Sequence, residues 1–281
     1  MNKVLLDNNE IDKLIIYALQ EDIGSGDVTT DNIVDEFQQS SGTLIAKADG
    51  VLSGLPIAKR VFDILEGLTG WTAHFEDGDF VKSGDIIVEF EGYLKPLLKA
   101  ERTALNFLQR MSGIATKTSR YVKLLTDYNT KILDTRKTVP GMRMLDKYAV
   151  SCGGGVNHRI GLYDMVMIKD NHIKAAGNIS RAVELVKANI KPNIRIEVET
   201  TNPREVKEAL ASGIDVIMLD NMSTEEMKEA VSLIDGKVEI EASGNMTATR
   251  LVETAEAGVD FISVGALTHS AEALDISMRL K

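Results

Sequence analysis

The chain has 281 residues, of which 44% are hydrophobic and 26% are charged, and its formal net charge at pH 7 is −10. This length and composition are typical of a globular protein with one large domain or two smaller ones, and the acidic balance disfavours nucleic acid as a ligand. The single cysteine, Cys152, excludes an intrachain disulfide and disfavours a cysteine-based zinc site.

The amino-terminal stretch predicts neither a signal peptide nor a membrane span. Charged side chains interrupt the apolar residues of 1–22, which a signal peptide would not allow. No stretch of the chain approaches the roughly 18 uncharged apolar residues that a membrane helix needs. We therefore expect a cytoplasmic protein.

Up to about residue 110, the sequence predicts a region that mixes helices with β-structure. Residues 10–20 place apolar side chains on one helical face, and residues 21–31 (EDIGSGDVTTD) have the composition of a loop. Residues 42–54 and 70–92 predict strands that are cut by Asp-Gly and Ser-Gly turns, with a helix between them. The chain changes character near residue 110, where we expect a domain boundary.

A long helix is predicted at 95–126, across that boundary. It has an apolar stripe and a second, mostly polar stripe formed by Arg102, Asn106, Gln109 and Gly113. The second stripe is either a solvated face or, at Arg102, a group that points into a binding site.

From residue 130 onward, the chain repeats a pattern of apolar strand, polar strand end and helix. The predicted strands are 131–137, 164–171, 194–200, 215–221, 238–243 and 261–266. Their end residues Glu199, Asp220, Ser243 and Gly265 follow one another at intervals of 21, 23 and 22 residues, which is one βα unit each. This alternation predicts a parallel sheet covered by helices, and six units favour a closed or nearly closed α/β barrel. An open Rossmann-type sheet is the alternative, but no G-x-G-x-x-G opens the first helix.

The ends of the predicted strands carry residues suited to binding a large anion. In chain order these ends are Arg136 and Lys137, then Lys169 to His172, Glu199, Asp220 and Asn221, Ser243 to Asn245, and Gly265. In an α/β barrel all of these ends meet at one rim, where catalytic groups lie. A purely structural barrel needs no such series, so we expect a site at this rim.

The strand ends also differ from one another in an ordered way. The first two are cationic, which suits carboxylates or phosphates, and the next two are carboxylates, which suit a divalent cation, ribose hydroxyls or a developing positive charge. The last two are small and rich in glycine, so their backbone N–H groups can bind a phosphate. Together they indicate phosphoribosyl transfer to an acidic heterocycle, because carboxylates stabilise an oxocarbenium-like ribose and cations stabilise departing pyrophosphate.

Residues 135–173, TRKTVPGMRMLDKYAVSCGGGVNHRIGLYDMVMIKDNHI, closely resemble the quinolinate phosphoribosyltransferases, also called carboxylating nicotinate-nucleotide pyrophosphorylases. The resemblance covers nearly the whole chain and continues, in the order of the family, through EDIGSGDVTTD, ERTALNFLQRMSGIAT, IEVET, VIMLDNM, EASGNM and FISVGALTHS. It implies an incomplete α/β (TIM-like) barrel at 111–269 and an N-terminal α/β sandwich domain at 1–110, on which residues 270–281 can pack.

The resemblance also implies an activity. The family converts quinolinate and phosphoribosyl pyrophosphate to nicotinate mononucleotide, pyrophosphate and carbon dioxide, with Mg²⁺, in NAD biosynthesis. It implies a pentosyltransferase that acts as a homodimer, in which the N-terminal domain of one subunit helps to cover the barrel mouth of the other. A hexamer built from such dimers stays open.

Carried over by position, the resemblance assigns a role to each of the rim residues. Quinolinate would be held by Arg136, His158, Arg159 and Lys169, with Arg102 joining from the partner subunit. Lys137 would face the pyrophosphate, Lys169 the pyrophosphate and the substrate, and Glu199 and Asp220 the ribose and Mg²⁺, directly or through water; these four form the expected catalytic set. The 5′-phosphate would be bound through backbone groups of Ser243, Gly244, Asn245 and Gly265. Asn245 stands where many members of the family have glycine, which should leave a backbone contact intact, and the role of His172 stays open.

Two other functions remain as alternatives. One is a similar barrel that acts on a different acid, such as nicotinate without decarboxylation; the pairing of Arg136 with His158 and Arg159 favours a diacid instead. The other is a non-catalytic protein that binds anions, in which Glu199 and Asp220 would have no task.

Overall fold

The computed structural model describes residues 8–281. Residues 1–7 lie outside the described residues. They include the start of the predicted N-terminal domain and part of the segment 1–22 for which no signal peptide is predicted. Contacts divide the chain into two units, of which the barrel unit comprises Arg120–Lys137 and Gly155–Ala266. The N-terminal unit comprises the described residues up to Ser119, together with Thr138–Gly154 and Leu267–Lys281. The domain boundary predicted near residue 110 falls inside a continuous helix and stays a prediction.

The helices and strands have the following bounds. The helices are α1 (Asn8–Ile23), α2 (Thr30–Ile33), α3 (Leu55–Ile64), α4 (Leu94–Leu124), α5 (Arg143–Cys152), α6 (Asp170–Ala176), α7 (Ile179–Lys187), α8 (Pro203–Ala211), α9 (Thr224–Ile234), α10 (Ala248–Glu256) and α11 (Ala266–His269). The strands are β1 (Gln39–Ala46), β2 (Gly50–Val51), β3 (Leu68–Ala73), β4 (Phe80–Val81), β5 (Ile86–Tyr93), β6 (Lys131–Leu133), β7 (Val166–Ile168), β8 (Ile196–Thr200), β9 (Val216–Asp220), β10 (Glu239–Ser243), β11 (Phe261–Ser263) and β12 (Ile276–Leu280). No helix among the described residues is long and apolar enough to cross a membrane.

The N-terminal unit is built on an antiparallel sheet with the strand order β12-β1-β5-β3. Its edge strand β12 comes from the C-terminus and pairs with β1, for example Met278 with Leu44. Phe62 of α3 packs on Phe90 of β5, with ring centroids 5.9 Å apart, and Trp71 of β3 joins the same cluster. The predicted alternation of strands and turns in this region is confirmed.

The long helix is confirmed as α4, but its polar stripe is only partly solvated. Arg102 and Asn106 are exposed. Further along, the side-chain amide of Gln109 donates to the carbonyl of Ile276 at 2.7 Å, and the backbone carbonyl of Gln109 accepts from the N–H of Leu274 at 2.9 Å. The interpretation of the whole stripe as a solvated face is therefore wrong for its second half, which binds the C-terminal segment.

Residues 21–31 contain more helix than their loop composition predicted. Helix α1 continues to Ile23 and α2 begins at Thr30. The carboxylate of Asp27 accepts from the N–H groups of Thr29 and Thr30, both at 2.9 Å, and thereby satisfies free donors at the start of α2. The loop prediction overlooked this capping role of the aspartate.

The barrel unit contains the parallel sheet that the repeat predicted, with the strand order β6-β11-β10-β9-β8-β7. Strands β7 to β11 follow one another in chain order, and the last of them pairs with the first strand, β6. This wrap-around is the topology of a barrel rather than of an open sheet, whose strand order reverses at a switch point. Among the described strands β6 and β7 do not pair, so the incomplete α/β barrel is confirmed and the open-sheet alternative is wrong.

Several βα boundaries were also predicted, and one helix was missed. Asn202 caps α8 and Ser223 caps α9 through their side chains, as the sequence indicated. In contrast, the strand predicted at 164–171 stops at Ile168, and α6 begins at Asp170. The ring nitrogen Nδ1 of His172 accepts from the N–H of Lys169 at 2.9 Å, which stabilises the first turn of this short helix.

Candidate active site

The carboxyl ends of the parallel strands bring four predicted site residues to one rim of the barrel unit. Asp220 ends β9 and is in register with Ser243, which ends β10. Glu199 lies at the end of β8, and Lys169 directly follows β7. The ammonium of Lys169 donates to the Glu199 carboxylate at 2.6 Å, so the cationic and acidic strand ends meet.

Two guanidinium groups of the barrel unit, those of Arg136 and Arg159, are near enough for their charges to interact. Arg159 donates through Nη1 to the carbonyl of Met165 at 3.0 Å, which holds the side chain in place. Burial and the nearby positive charge of Arg136 lower the pKa of Arg159. The Nε atom of Arg136 is buried, and no hydrogen-bond partner for it exists among the described residues. Two neighbouring guanidiniums, one with an unused buried donor, are suited to bind an anion with more than one carboxylate.

His158 lies deeper than the two arginines. Its Nε2 atom is 3.1 Å from the Glu197 carboxylate and 3.2 Å from the Glu241 carboxylate. Burial alone would lower the pKa of His158, but hydrogen bonds to these carboxylates and their charges raise it to about 10. Burial and the charge of Glu241 raise the pKa of Glu197 to about 7.

A buried aspartate that follows β6, Asp134, holds the loop before β7 through hydrogen bonds. The Asp134 carboxylate accepts from the Asn157 side chain at 2.7 Å and from the N–H of His158 at 2.8 Å. Arg136 and Lys137 lie two and three residues beyond this aspartate, and Lys137 is exposed. The same aspartate therefore fixes the loop that carries Arg159 and lies close in the chain to Arg136.

The last two strand ends offer backbone rather than charged side chains. Gly244 (φ +100°) and Asn245 (φ +46°) are consecutive residues in the left-handed region after β10. A Cβ atom at Gly244 would overlap the Asn221 side chain, so only glycine fits there. Asparagine adopts the left-handed region more readily than most residues, so Asn245 can hold this conformation without a glycine. Gly265 occupies the corresponding place after β11 and precedes α11.

Glu199 and Asp220 could hold a metal ion. Both present carboxylate oxygens at the ends of adjacent strands, and oxygen ligands of this kind suit Mg²⁺. Glu199 is paired with Lys169, and Asp220 accepts from the Asn221 side chain at 2.8 Å. The two carboxylates would therefore suit Mg²⁺, held directly or through water.

Two further predicted residues, Arg102 and His172, are exposed. Arg102 belongs to the N-terminal unit, on α4, with its side chain exposed. His172 caps α6 and is also exposed.

Sequence reasoning missed three buried acids of the barrel unit: Asp134, Glu197 and Glu241. The available signal was an acidic residue in the middle of each of the apolar segments KILDT, IEVE and EIEA, where a structural strand has no use for one.

Comparison with known proteins gives consistent matches along the chain. Residues 114–279 match the model of the quinolinate phosphoribosyl transferase C-terminal domain, and residues 27–112 match that of the N-terminal domain. A probable carboxylating nicotinate-nucleotide pyrophosphorylase of Bacillus subtilis (strain 168) is 44% identical over 269 residues, which cover 96% of this chain and 93% of the relative. The chloroplastic carboxylating nicotinate-nucleotide pyrophosphorylase of Arabidopsis thaliana is 44% identical over 292 residues, covering 96% and 83%. The solved structure of the nicotinate-nucleotide pyrophosphorylase from Francisella tularensis has a TM-score of 0.95 at 42% identity and covers 100% of this chain and 99% of its own.

Proposed function

This chain belongs to the quinolinate phosphoribosyltransferase family, and from that membership we propose how its residues perform the family's reaction. The chain is a pentosyltransferase that joins quinolinate to phosphoribosyl pyrophosphate and releases pyrophosphate and carbon dioxide. Its product is nicotinate mononucleotide, a precursor of NAD.

The arginine pair is the observation that most strongly supports quinolinate as the acceptor. Arg136 has an unpartnered buried Nε, and its charge already lowers the pKa of Arg159. A ligand with two adjacent carboxylates relieves this repulsion and pairs with both guanidiniums. The ammonium of Lys169 pairs with the Glu199 carboxylate at 2.6 Å, which places a further positive charge at the same rim.

The reaction follows from what the rim offers. The pyridine nitrogen of quinolinate attacks C1′ of the donor, the bond between C1′ and the pyrophosphate oxygen breaks, and pyrophosphate leaves with that electron pair. Glu199 and Asp220 stabilise the positive charge that develops on the ribose, while Lys137 and Lys169 stabilise the pyrophosphate. Ser243, Gly244, Asn245 and Gly265 hold the 5′-phosphate through their backbone N–H groups.

Decarboxylation follows transfer in this scheme. Once the ring nitrogen carries ribose it is cationic, so the ring accepts the electron pair left at C2 when carbon dioxide departs, and a proton then replaces the carboxylate. No separate decarboxylating base is required. Release of carbon dioxide in the absence of the phosphoribosyl donor would contradict this order.

The cofactor in this proposal is Mg²⁺, held by Glu199 and Asp220, directly or through water. When bound, the ion neutralises charge on the pyrophosphate group. We expect removal of divalent ions with EDTA to abolish nucleotide formation and Mg²⁺ to restore it, measured by chromatography of the product. Full activity after exhaustive chelation would contradict the cofactor.

The proposal includes a homodimer in the cytoplasm, in which Arg102 of each subunit completes the quinolinate site of its partner. Its support is the exposure of Arg102 on α4 and the resemblance to a family with shared sites. A hexamer of such dimers is compatible with the same sharing.

One assay separates this function from its alternatives. The protein is incubated with Mg²⁺, phosphoribosyl pyrophosphate and either quinolinate or nicotinate, and both nucleotide and carbon dioxide are measured. We expect equal amounts of nucleotide and carbon dioxide from quinolinate and no product from nicotinate. Nucleotide from nicotinate would indicate a related transferase for a monoacid, and binding of quinolinate without product would indicate an anion-binding protein.

A further inference from the structure

Below the rim, two buried carboxylates approach one imidazole from different strands. Glu197 of β8 and Glu241 of β10 contact the same Nε2 atom of His158, although β9 lies between the two strands. The side chains of Glu197, Glu241 and His158 are 0%, 2% and 5% exposed. Glu197 precedes Glu199 by two residues on β8, and Glu241 precedes Ser243 by two on β10. Because strand residues alternate between faces, the buried pair points to the same face as the rim residues, one layer below them.

The contacts of the imidazole fix its orientation. The backbone N–H of Arg159 lies 2.6 Å from Nδ1 of His158, so Nδ1 faces the main chain and Nε2 faces the two carboxylates. The nitrogens of His158 that could have met a substrate carboxylate therefore face protein groups. This geometry favours an indirect role for His158, in contrast to the direct contact that the resemblance implied.

The imidazole is tied in turn to the chain that carries Arg159. The backbone N–H of His158 donates to the Asp134 carboxylate, and Nδ1 of the His158 ring contacts the next backbone N–H, that of Arg159. A change in the tilt of the ring would therefore displace the main chain of Arg159 and, with it, the guanidinium that lies beside Arg136.

A structural role alone does not account for the two acids. The second carboxylate oxygen of Glu197 and that of Glu241 are buried and have no partner among the described residues. Buried ionisable groups of this kind are commonly less stabilising than apolar residues of similar size, so their presence indicates a task other than stability.

We propose that Glu197 and Glu241 are positioning residues for quinolinate: through His158 they fix the main chain of Arg159, so that its guanidinium and that of Arg136 receive the two carboxylates. This inference rests on the proposed function, because it takes quinolinate as the ligand of the arginine pair. The two acids touch neither substrate nor metal in this scheme.

The test replaces Glu241, which is the acid farther along the chain from the predicted metal ligand Glu199. Glu241→Leu removes one of the two carboxylates that contact Nε2 of His158, whereas Glu241→Gln keeps an oxygen acceptor in a side chain of the same shape. Glu253→Gln, on the exposed face of α10, serves as the matched control. The dissociation constant for quinolinate is measured by calorimetry without the donor, and the KM of each substrate is measured by the nucleotide assay.

We expect Glu241→Leu to weaken quinolinate binding and raise its KM by about tenfold to a hundredfold, with the KM for phosphoribosyl pyrophosphate nearly unchanged. Glu241→Gln should recover most of the affinity, and the control should match the wild type. Equal weakening of both substrates, or wild-type affinity in the folded Leu variant, would overturn the proposal. Loss of the folded state in both variants, judged by circular dichroism, would also overturn it in favour of a core role.

Two further outcomes are distinguished by the same experiment. If the wild type binds quinolinate but forms no nucleotide, the proposed function fails, while the binding constants still test the positioning role. The ligand atoms of His158, Glu197 and Glu241 lie within 4.8 Å of one another, a spacing that a metal ion could bridge. Stoichiometric metal in the purified wild type that is absent from Glu241→Leu would replace the positioning role with a metal site.

Discussion

At the scale of single residues, the candidate site is marked by two guanidinium groups whose positive charges act on each other, those of Arg136 and Arg159. Arg136 has a buried Nε without a partner among the described residues, and burial together with Arg136 lowers the pKa of Arg159. Keeping two guanidiniums together costs free energy unless an anion joins them. This cost is the physical reason to expect tight and specific binding of a dicarboxylate.

Replacement of Arg136 by alanine should therefore weaken quinolinate binding more than it affects stability. We expect Arg136→Ala to cost on the order of 2–5 kcal/mol of binding free energy, because a substrate carboxylate would remain buried without its bidentate partner. The KM for quinolinate measures the effect, and Arg204→Ala, an exposed arginine on α8, is the control. Saturation of Arg136→Ala by quinolinate at wild-type concentrations would refute the assignment.

At the scale of elements, helix α4 combines two tasks that its sequence pattern does not separate. Its polar stripe begins with the exposed Arg102 and Asn106 and continues to Gln109 and Gly113, which contact the C-terminal segment. Gly113 is buried, and a Cβ atom there would overlap the carbonyl oxygen of Glu272. The small residue is therefore required by a close approach of two backbones, not by flexibility of the helix.

The substitution Gly113→Ala should reverse the usual effect of alanine in a helix. Alanine normally stabilises a helix interior by up to about 1 kcal/mol relative to glycine. Here we expect a loss of about 1–3 kcal/mol, because the methyl group would push against rigid backbone. Urea unfolding measures the free energy, with Asn106→Ala on the exposed part of the same stripe as control. A stabilised Gly113→Ala variant would show that the C-terminal segment is easily displaced.

At the scale of the whole molecule, the expected quinolinate ligands belong to two separate units of the chain. Arg136 and Arg159 lie in the barrel unit, and Arg102 lies in the N-terminal unit. In the proposed homodimer, Arg102 of one subunit joins Arg136 and Arg159 of its partner in one site, and the two-fold symmetry repeats this arrangement in the second site.

Sharing of sites can be tested by complementation. Arg102→Ala and Arg136→Ala subunits, each nearly inactive alone, are unfolded, mixed in equal amounts and refolded together. If subunits pair at random, about half of the dimers are mixed, and each has one intact site of two, so about a quarter of the wild-type activity should return. Activity no higher than that of the separately refolded variants would indicate that Arg102 acts within its own subunit or not at all.

Much of this fold could be predicted from the sequence because the signals are local. Asn202 and Ser223 mark the starts of helices by their own side chains, and the regular spacing from Glu199 to Gly265 counts the βα units. The predictions fail where a local signal is weak or ambiguous: the composition predicts a loop around Asp27 and the end of a strand from Lys169 to His172. In both places a single side chain caps the first turn of a short helix. One capping residue does not alter the overall composition of a segment, so composition alone does not reveal these helices.

The sequence by itself determined the order of the elements and which residues lie at the rim, since the carboxyl ends of parallel strands must meet at one edge of their sheet. Only the tertiary structure decided that Glu197 and Glu241 meet the ring of His158, that Arg136 lies beside Arg159, and that β12 completes the sheet of β1. These contacts join residues that are far apart in the chain, and their partners are chosen by the curvature and register of the sheets, which no local pattern of residues encodes.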